Sequence, residues 1–505
     1  MRPRTQHPSW HRWAWLAGGT GLSFLAMQAR FDIALLAWAY PVLLLRFTRT
    51  GGGVSSAAGI VLSSAATTAA WLVSAEVFSP PLLLVALPLA PLLALPYIAD
   101  RYLARRLGTR SPVLATLVFP AAKVGAELAG TLVTPVGTLY GVLGTTQAAN
   151  LPLVQVASVT GVYGVSFLVA WAAPVAVGLW ERGPAARPAL RGAVVFGTVL
   201  TAVLLLGGAR LAFTPPAQET VRVAGISTSK AAWDGLAPTF RELDSLEAIL
   251  DADPEWMRER FAIANEDLLE STEREARAGA EVVVWAESAA FTLEEDKERL
   301  LGDVAEVAEE QGVHVAAAVS VYTEEAPHID NLQILIGPDG EQVWEYAKSR
   351  PVPVLEPYEP GPGVLPTADT PFGRLSGAVC YDGDFPALQR QAGAASVDIM
   401  LNSANTWPGI KRLHARASVM RSVENGYSLV RQASRGISNA ADPLGRPIAG
   451  ADYYTTERHT LIAEVPTDGV ATVYSRIGDA FAWTCIGGLA VLAAMAVRRS
   501  RPDED

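Results

Sequence analysis

The sequence predicts a two-part protein: a multi-pass α-helical membrane domain of about eight spans, joined to a layered α/β domain outside the membrane. Three observations carry this. Half of the 505 residues are hydrophobic and only 18 % are charged, the composition of a membrane protein with a soluble part. Apolar runs of spanning length recur through the first 213 residues and once more near the C-terminus. Nearly all the acid behind the net charge of −11 lies between about residues 219 and 470.

A helix needs roughly 17–25 apolar residues to cross a bilayer. Such runs lie near 12–28, 31–47, 54–76, 80–99, 112–135, 161–180, 193–213 and 479–497, the second with Asp32 near its edge. Arginine positions set the expected topology. Arg2, Arg4 and Arg12 precede the first run, and Arg46 and Arg49 follow the second. Arg101, Arg105, Arg106 and Arg110 follow the fourth; Arg182, Arg187 and Arg191 follow the sixth; Arg498, Arg499 and Arg501 follow the eighth. The alternate loops near 77–80 and 136–160 have neither Lys nor Arg, and the first has Arg30 alone. Positive loops stay in the cytoplasm, so both termini are expected there. The expected domains are 1–213 in the membrane, 214–478 outside it, and a last span with its tail over 479–505. In the fifth run Lys123 and Glu127 stand four apart, on one helix face. Charges inside a bilayer are costly, so their role is open between substrate handling and the locking of helices.

Segment 214–478 alternates short β-rich runs with helix-like ones. Strands are expected at 221–226, 282–285, 313–319, 332–336, 375–379, 399–402, 428–432 and 460–465, and amphipathic helices at 255–278, 293–311 and 411–425. Alternation over this length argues for a layered α/β domain. Asp339-Gly340 reads as a hairpin turn. Pro351, Pro353, Pro357, Pro360 and Pro362 make 350–367 an irregular loop that can cover a site.

Two cysteines cannot form a disulfide framework, and Cys485 lies in an apolar run. Cys380 ends an apolar run and enters an acidic, glycine-containing turn, Cys380-Tyr381-Asp382-Gly383-Asp384. A thiol there is expected to be exposed. Glu287 and Lys348 also end strand-like runs. A thiol needs a base or a nearby cation to become nucleophilic. Glu287 can take its proton, and Lys348 can stabilise thiolate and oxyanion. Together the three predict covalent acyl chemistry, ending on an amine or on water. No basic patch interleaved with aromatics suggests nucleic acid. His314, His328 and His414 have no metal-binding spacing.

With these residues in view, 214–478 resembles the nitrilase, or carbon-nitrogen hydrolase, superfamily, and the whole chain is similar to the apolipoprotein N-acyltransferase family. The resemblance rests on Trp285-Ala286-Glu287-Ser288, Tyr346-Ala347-Lys348, Cys380-Tyr381, Asn405-Thr406-Trp407, Arg421-Ser422-Val423-Glu424-Asn425 and the membrane loop 155–167. It implies an α-β-β-α sandwich, with Glu287 as general base, Lys348 as oxyanion-stabilising lysine and Cys380 as nucleophile. Glu356 falls where the family has an additional active-site glutamate. Tyr381 and Trp407 fall near the acyl site, and Asp382 stands where Glu is common. It further implies an acyl chain taken from a phospholipid onto Cys380 and passed to the N-terminal amine of a lipoprotein, without cofactor or metal. One membrane-embedded chain holds every group this needs, so a monomer is expected. A membrane-tethered amidase, or an acyltransferase with another amine acceptor, is the alternative.

Overall fold

The computed structural model describes residues 10–27, 29–31, 33–108 and 111–498. Arg2, Arg4, Asp32, Arg110, Arg499 and Arg501, used above, lie outside the described residues. The chain forms two compact units, Met1–Phe213 with Ile477–Asp505, and Thr214–Arg476.

The first unit is helical. Among the described residues, six helices are long and apolar enough to cross a membrane: Gly53–Ser74, Pro80–Leu107, Pro112–Val133, Val162–Arg182, Arg187–Phe213 and Ala480–Arg498. The first two expected spans correspond to helices Trp10–Met27 and Ala34–Thr50. They fall outside the six for a physical reason. The first carries His11, Arg12 and several small or hydroxyl residues, and the second is 17 residues long with Arg46 and Arg49 near its end. Apolar side chains such as Leu62, Leu84, Val194, Leu205, Leu206 and Val491 point outward. In water such a surface would be a liability; against lipid it is the expected face of a membrane helix.

Polar contacts sit at one end of this bundle. Arg49 pairs with Asp100 at 2.7 Å, and Arg46 with Glu181 at 2.7 Å. Arg101 donates to the carbonyls of Thr48 and Gly51, and Arg105 to that of Arg49. The arginine-rich ends of three helices therefore meet on the same side. Within Pro112–Val133, Lys123 Nζ lies 3.2 Å from Glu127 Oε1 and donates to the Gly141 carbonyl at 2.8 Å. Glu127 Oε1 accepts from Leu143 N at 3.0 Å. The pair thus fastens the stretch after the helix back onto it. Segment 136–160 is not a featureless loop; short helices at Gly144–Gln147, Leu151–Val154 and Ala157–Thr160 fold it.

The second unit is built on two sheets. Its strands are β1 (Thr220–Ile226), β2 (Val282–Trp285), β3 (Ala290–Leu293), β4 (His314–Tyr322), β5 (Ile329–Ile336), β6 (Gln342–Ala347), β7 (Thr367–Thr370), β8 (Gly373–Val379), β9 (Ile399–Asn405), β10 (Ser428–Ser434), β11 (Ile437–Ala441), β12 (Pro447–Asp452) and β13 (Thr460–Pro466). The first sheet runs β13-β1-β2-β4-β5-β6, with β3 beside β4; the second runs β12-β11-β10-β9-β8-β7. Helices Pro254–Arg277 and Lys297–Gln311 pack on the outer face of the first sheet, and Lys411–Asn425 on that of the second. These are the four layers of an α-β-β-α sandwich.

All eight expected strand runs are strands, several of them longer than expected. Helices Lys230–Glu242, Leu246–Asp251 and Pro386–Ala394, not among the expected ones, span 13, 6 and 9 residues, and Pro238 inside the first interrupts the local helix signal. Strands β3, β7, β11 and β12 are four to six residues long, near the lower limit for a period-2 signal.

Polar side chains pin the two inner faces together. Gln333 of β5 donates to the Leu401 carbonyl and to Ser403 Oγ at 3.2 and 2.8 Å, across from β9. Gln432 of β10 donates to Ser227 Oγ at 2.9 Å. Each amide lies over a glycine of the opposite sheet: a Cβ at Gly377 would collide with Gln333 Oε1, and one at Gly225 with Gln432 Oε1.

Candidate active site

Three strand ends converge. Glu287 follows β2, Lys348 follows β6 and Cys380 follows β8, so the acid and the ammonium come from one sheet and the thiol from the other. The Glu287 amide donates to the Ala404 carbonyl at 3.2 Å, a main-chain link between the sheets at this point.

Lys348 is the hub. Its Nζ donates to Glu287 Oε1 at 2.7 Å and to Glu356 at 2.7 Å, and its side chain is fully buried. Burial alone would pull its pKa down, but Glu287, Cys380 and Glu356 outweigh that and hold it well above the ordinary lysine value. Glu287 Oε1 also accepts from Asn331 Nδ2 at 2.8 Å. The second carboxylate, Glu356, comes from the proline-rich loop, where Glu356 Oε2 accepts from Val352 N at 2.7 Å. Burial raises its pKa, and the neighbouring Glu287 adds to that while Lys348 opposes it.

Cys380 is buried, not exposed as expected from its place at a strand end. The chain turns inward at that residue: its φ is +45°, a left-handed conformation in which non-glycine residues are strained. It opens a single 3₁₀ turn, Cys380–Asp384, and the thiol donates to the Asn405 carbonyl at 3.3 Å. Burial, reinforced by Glu287 and Glu356, pushes the thiol pKa well above its usual value, while Lys348 and Arg431 pull the other way. Its surroundings therefore favour the protonated thiol.

Asp382 supports both turns. Its carboxylate accepts from Val379 N at 3.2 Å, Arg350 N at 2.7 Å, Ser349 N at 3.2 Å and Tyr346 OH at 2.8 Å. It ties the loop after Lys348 to the turn that holds Cys380. Burial pushes its pKa up to about 6. Tyr381 is buried edge-on against Phe385, with ring centroids 5.2 Å apart. Trp407 lies in the turn before helix Lys411–Asn425, where its carbonyl accepts from Ile410 N and Lys411 N.

Four residues at this site escaped sequence reasoning. Asn331 orients Glu287. Asn405, part of a quoted motif, meets the thiol through its main chain. Arg431 of β10 is buried within electrostatic reach of Cys380. Tyr358 stands 5.8 Å from Lys348 Nζ at its ring centroid. Asn331 and Gln333 did carry a signal: polar residues at alternate positions of an apolar strand, hence on its inner face.

Beside this cluster, a cavity of about 250 Å³ is walled by Trp233, Phe240, Phe291, Tyr322 and Tyr358, with Ser288, Asn405 and Arg435 on its polar side. No group of three or more His, Cys, Asp or Glu able to hold a metal occurs among the described residues.

Comparison with known proteins places this arrangement in a family. The carbon-nitrogen hydrolase profile matches residues 252–474, and the apolipoprotein N-acyltransferase N-terminal domain matches 20–175. The apolipoprotein N-acyltransferase of Geobacter metallireducens is 30 % identical over 460 residues, 85 % of this chain and 81 % of that protein. The chain belongs to the apolipoprotein N-acyltransferase family. The enzyme of that name from Bradyrhizobium diazoefficiens is 26 % identical over 79 % of this acyltransferase. Among solved structures, an amidase of the nitrilase superfamily from Nesterenkonia sp. AN1 matches 53 % of this chain and 97 % of its own, with TM-score 0.41 and 18 % identity. By its profile matches and its helices, this acyltransferase joins a carbon-nitrogen hydrolase domain to apolar helices that fit a membrane location.

Proposed function

We propose that this protein transfers a fatty acyl chain from a phospholipid, through a thioester on Cys380, to the N-terminal amine of a lipid-modified lipoprotein. Family membership and the contact of Lys348 with two carboxylates beside a buried thiol carry the reading. In the first half-reaction, Cys380 Sγ attacks the ester carbonyl carbon while Glu287 takes the thiol proton. The oxyanion that forms is stabilised by the Lys348 ammonium. The carbon–oxygen bond then breaks, and Glu287 returns the proton to the departing glycerol oxygen. In the second, the neutral amine attacks the thioester carbon, the carbon–sulfur bond breaks, and the amine proton passes through Glu287 to the sulfur. Glu356 holds Lys348 from its other side and leaves Glu287 free to carry protons.

Membrane insertion suits this chemistry, since both substrates keep their acyl chains in lipid. The arginine pattern supports eight spans, cytoplasmic termini and an extracytoplasmic α/β unit, the first two helices crossing with the other six. All the reacting groups reside in one chain, which supports a monomer. Intact mass spectrometry of the whole protein mixed with phospholipid tests the reading. A fatty-acyl adduct on wild type, absent from Cys380→Ala and discharged by a diacylated lipopeptide, is expected. Failure of any phospholipid to load Cys380 sinks it; discharge by water alone favours a hydrolase.

A further inference from the structure

Strands β8, β9 and β10 run parallel, with Val379 opposite Ser403 and Asn405 opposite Ser434. Their C-terminal ends therefore share one edge of the second sheet, the edge where parallel sheets place ligands. Cys380 follows β8, Asn405 closes β9, and Arg435 follows β10. Asn405 joins the other two. Its carbonyl accepts from the Cys380 thiol at 3.3 Å, and its Oδ1 accepts from Arg435 Nε at 3.3 Å.

Arg435 is held, yet its charge is unanswered. Its guanidinium carbon lies 5.5 Å from the centre of the Trp233 ring, and its φ of +50° turns the chain into a conformation unfavourable for a long side chain. The residue is exposed and lines the aromatic cavity beside Glu287's neighbour Ser288. Among the described residues, Nη1 and Nη2 have no hydrogen-bond or ion-pair partner. An arginine fixed by a stack and one hydrogen bond, with the rest of its fork open, is a pre-formed receptor for a tetrahedral oxyanion.

We propose that Arg435 binds the phosphodiester of the phospholipid donor and so selects phospholipid over uncharged glycerides. The inference rests on the function proposed above. In a phospholipid the phosphate is separated from the reacting ester only by the glycerol, so an anion receptor one strand end beyond the thiol's partner suits it. The acceptor's amine, a cation when protonated, gains nothing from this arginine. Charge-assisted contacts of this kind correspond to about ten- to a hundredfold in binding.

The test compares phosphatidylglycerol with diacylglycerol of the same chains as donors to the whole protein in nanodiscs, reading the rate of Cys380 acylation by mass spectrometry. Wild type should prefer phosphatidylglycerol. Arg435→Gln should lower that preference about ten- to a hundredfold, mainly through apparent KM, and Arg435→Lys should restore part of it. A third arm loads each protein from an activated thioester and follows discharge to lipopeptides with and without an acidic second residue. A loss confined to acidic lipopeptides would reassign the anion to the acceptor and overturn the proposal. An unchanged donor preference in Arg435→Gln, or equal slowing with both donors, overturns it too; the latter would mean that Arg435 only props Asn405. If wild type takes an acyl group from the thioester but from no phospholipid, it is the proposed function that fails.

Discussion

Among the described residues a lysine is buried against glutamate twice, once in each unit, and the two contacts have opposite designs. Lys123 and Glu127 stand a helix turn apart at 3.2 Å, and both spend hydrogen bonds on the main chain of 141–143. One cation meets one anion, and what they fix is the path of the chain. Lys348 meets two carboxylates, each at 2.7 Å, contributed by different loops, with a thiol beside them. That cluster has a surplus of negative charge and a titratable neighbour. A lysine–glutamate contact alone therefore says little about function. The balance of charge and the nature of the third group do.

The largest effect separating the two should come from the proton carrier. Glu287→Gln keeps a hydrogen-bonding group near Lys348 but removes the base, and acylation of Cys380 from phospholipid should fall about 10²–10⁴-fold. The purified variant should keep its melting temperature within a few degrees. A comparable loss of rate in Glu127→Gln would erase the distinction.

Next in size is the cost of breaking the membrane pair. Lys123→Met leaves Glu127 buried without its cation, at about 3–5 kcal/mol, read as a lower melting temperature in detergent. Replacing both with Met should recover most of that loss together with acyl transfer. The same double replacement at Lys348 and Glu287 should abolish activity and recover less stability, because Glu356 is left without its cation.

The smallest effect is one of pH. The carboxyl of Asp382 titrates at about 6 in the fold, above the ordinary carboxylate value near 3.9. The folded state therefore holds this proton more tightly than the unfolded chain. The stability it contributes is fully present below about pH 4 and is lost as pH rises through about 6, roughly 3 kcal/mol in all. The melting temperature of wild type relative to Asp382→Asn should thus fall between about pH 4 and pH 6 and level off above. A flat difference would mean that its four donors, not burial, set its ionisation.

Much of the site could be read in advance because Glu287, Lys348 and Cys380 each interrupt an apolar run, and an apolar run ending in a reactive group is a local signal. Glu356 and Asp382 came only through resemblance, since an acid in a proline-rich loop or a glycine-containing turn is ordinary. Asn405 came only as part of a quoted motif, with no contact to the thiol foreseen, and Arg435 could not be found locally at all. Their importance arises from the register of β8, β9 and β10, which pairs residues that are 25 and 30 positions apart. The burial of Cys380 was misjudged for a related reason: its inward turn depends on Asp382 reaching not only the nearby Val379 but also the loop after β6, a contact 32 positions away.

The sandwich itself is part of the instrument. Glu287 and Lys348 hang from one sheet and Cys380 from the other, so the gap between sheets, about 10 Å, acts as a ruler for the atoms proposed to react. Gln333 over Gly377 and Gln432 over Gly225 are the stops on that ruler. A methyl group added at either glycine would touch no substrate, yet it would reset the reach of the thiol toward its base. The alignment proposed for Glu287, Lys348 and Cys380 is written into the seam between two sheets, at positions that an inventory of reactive side chains passes over.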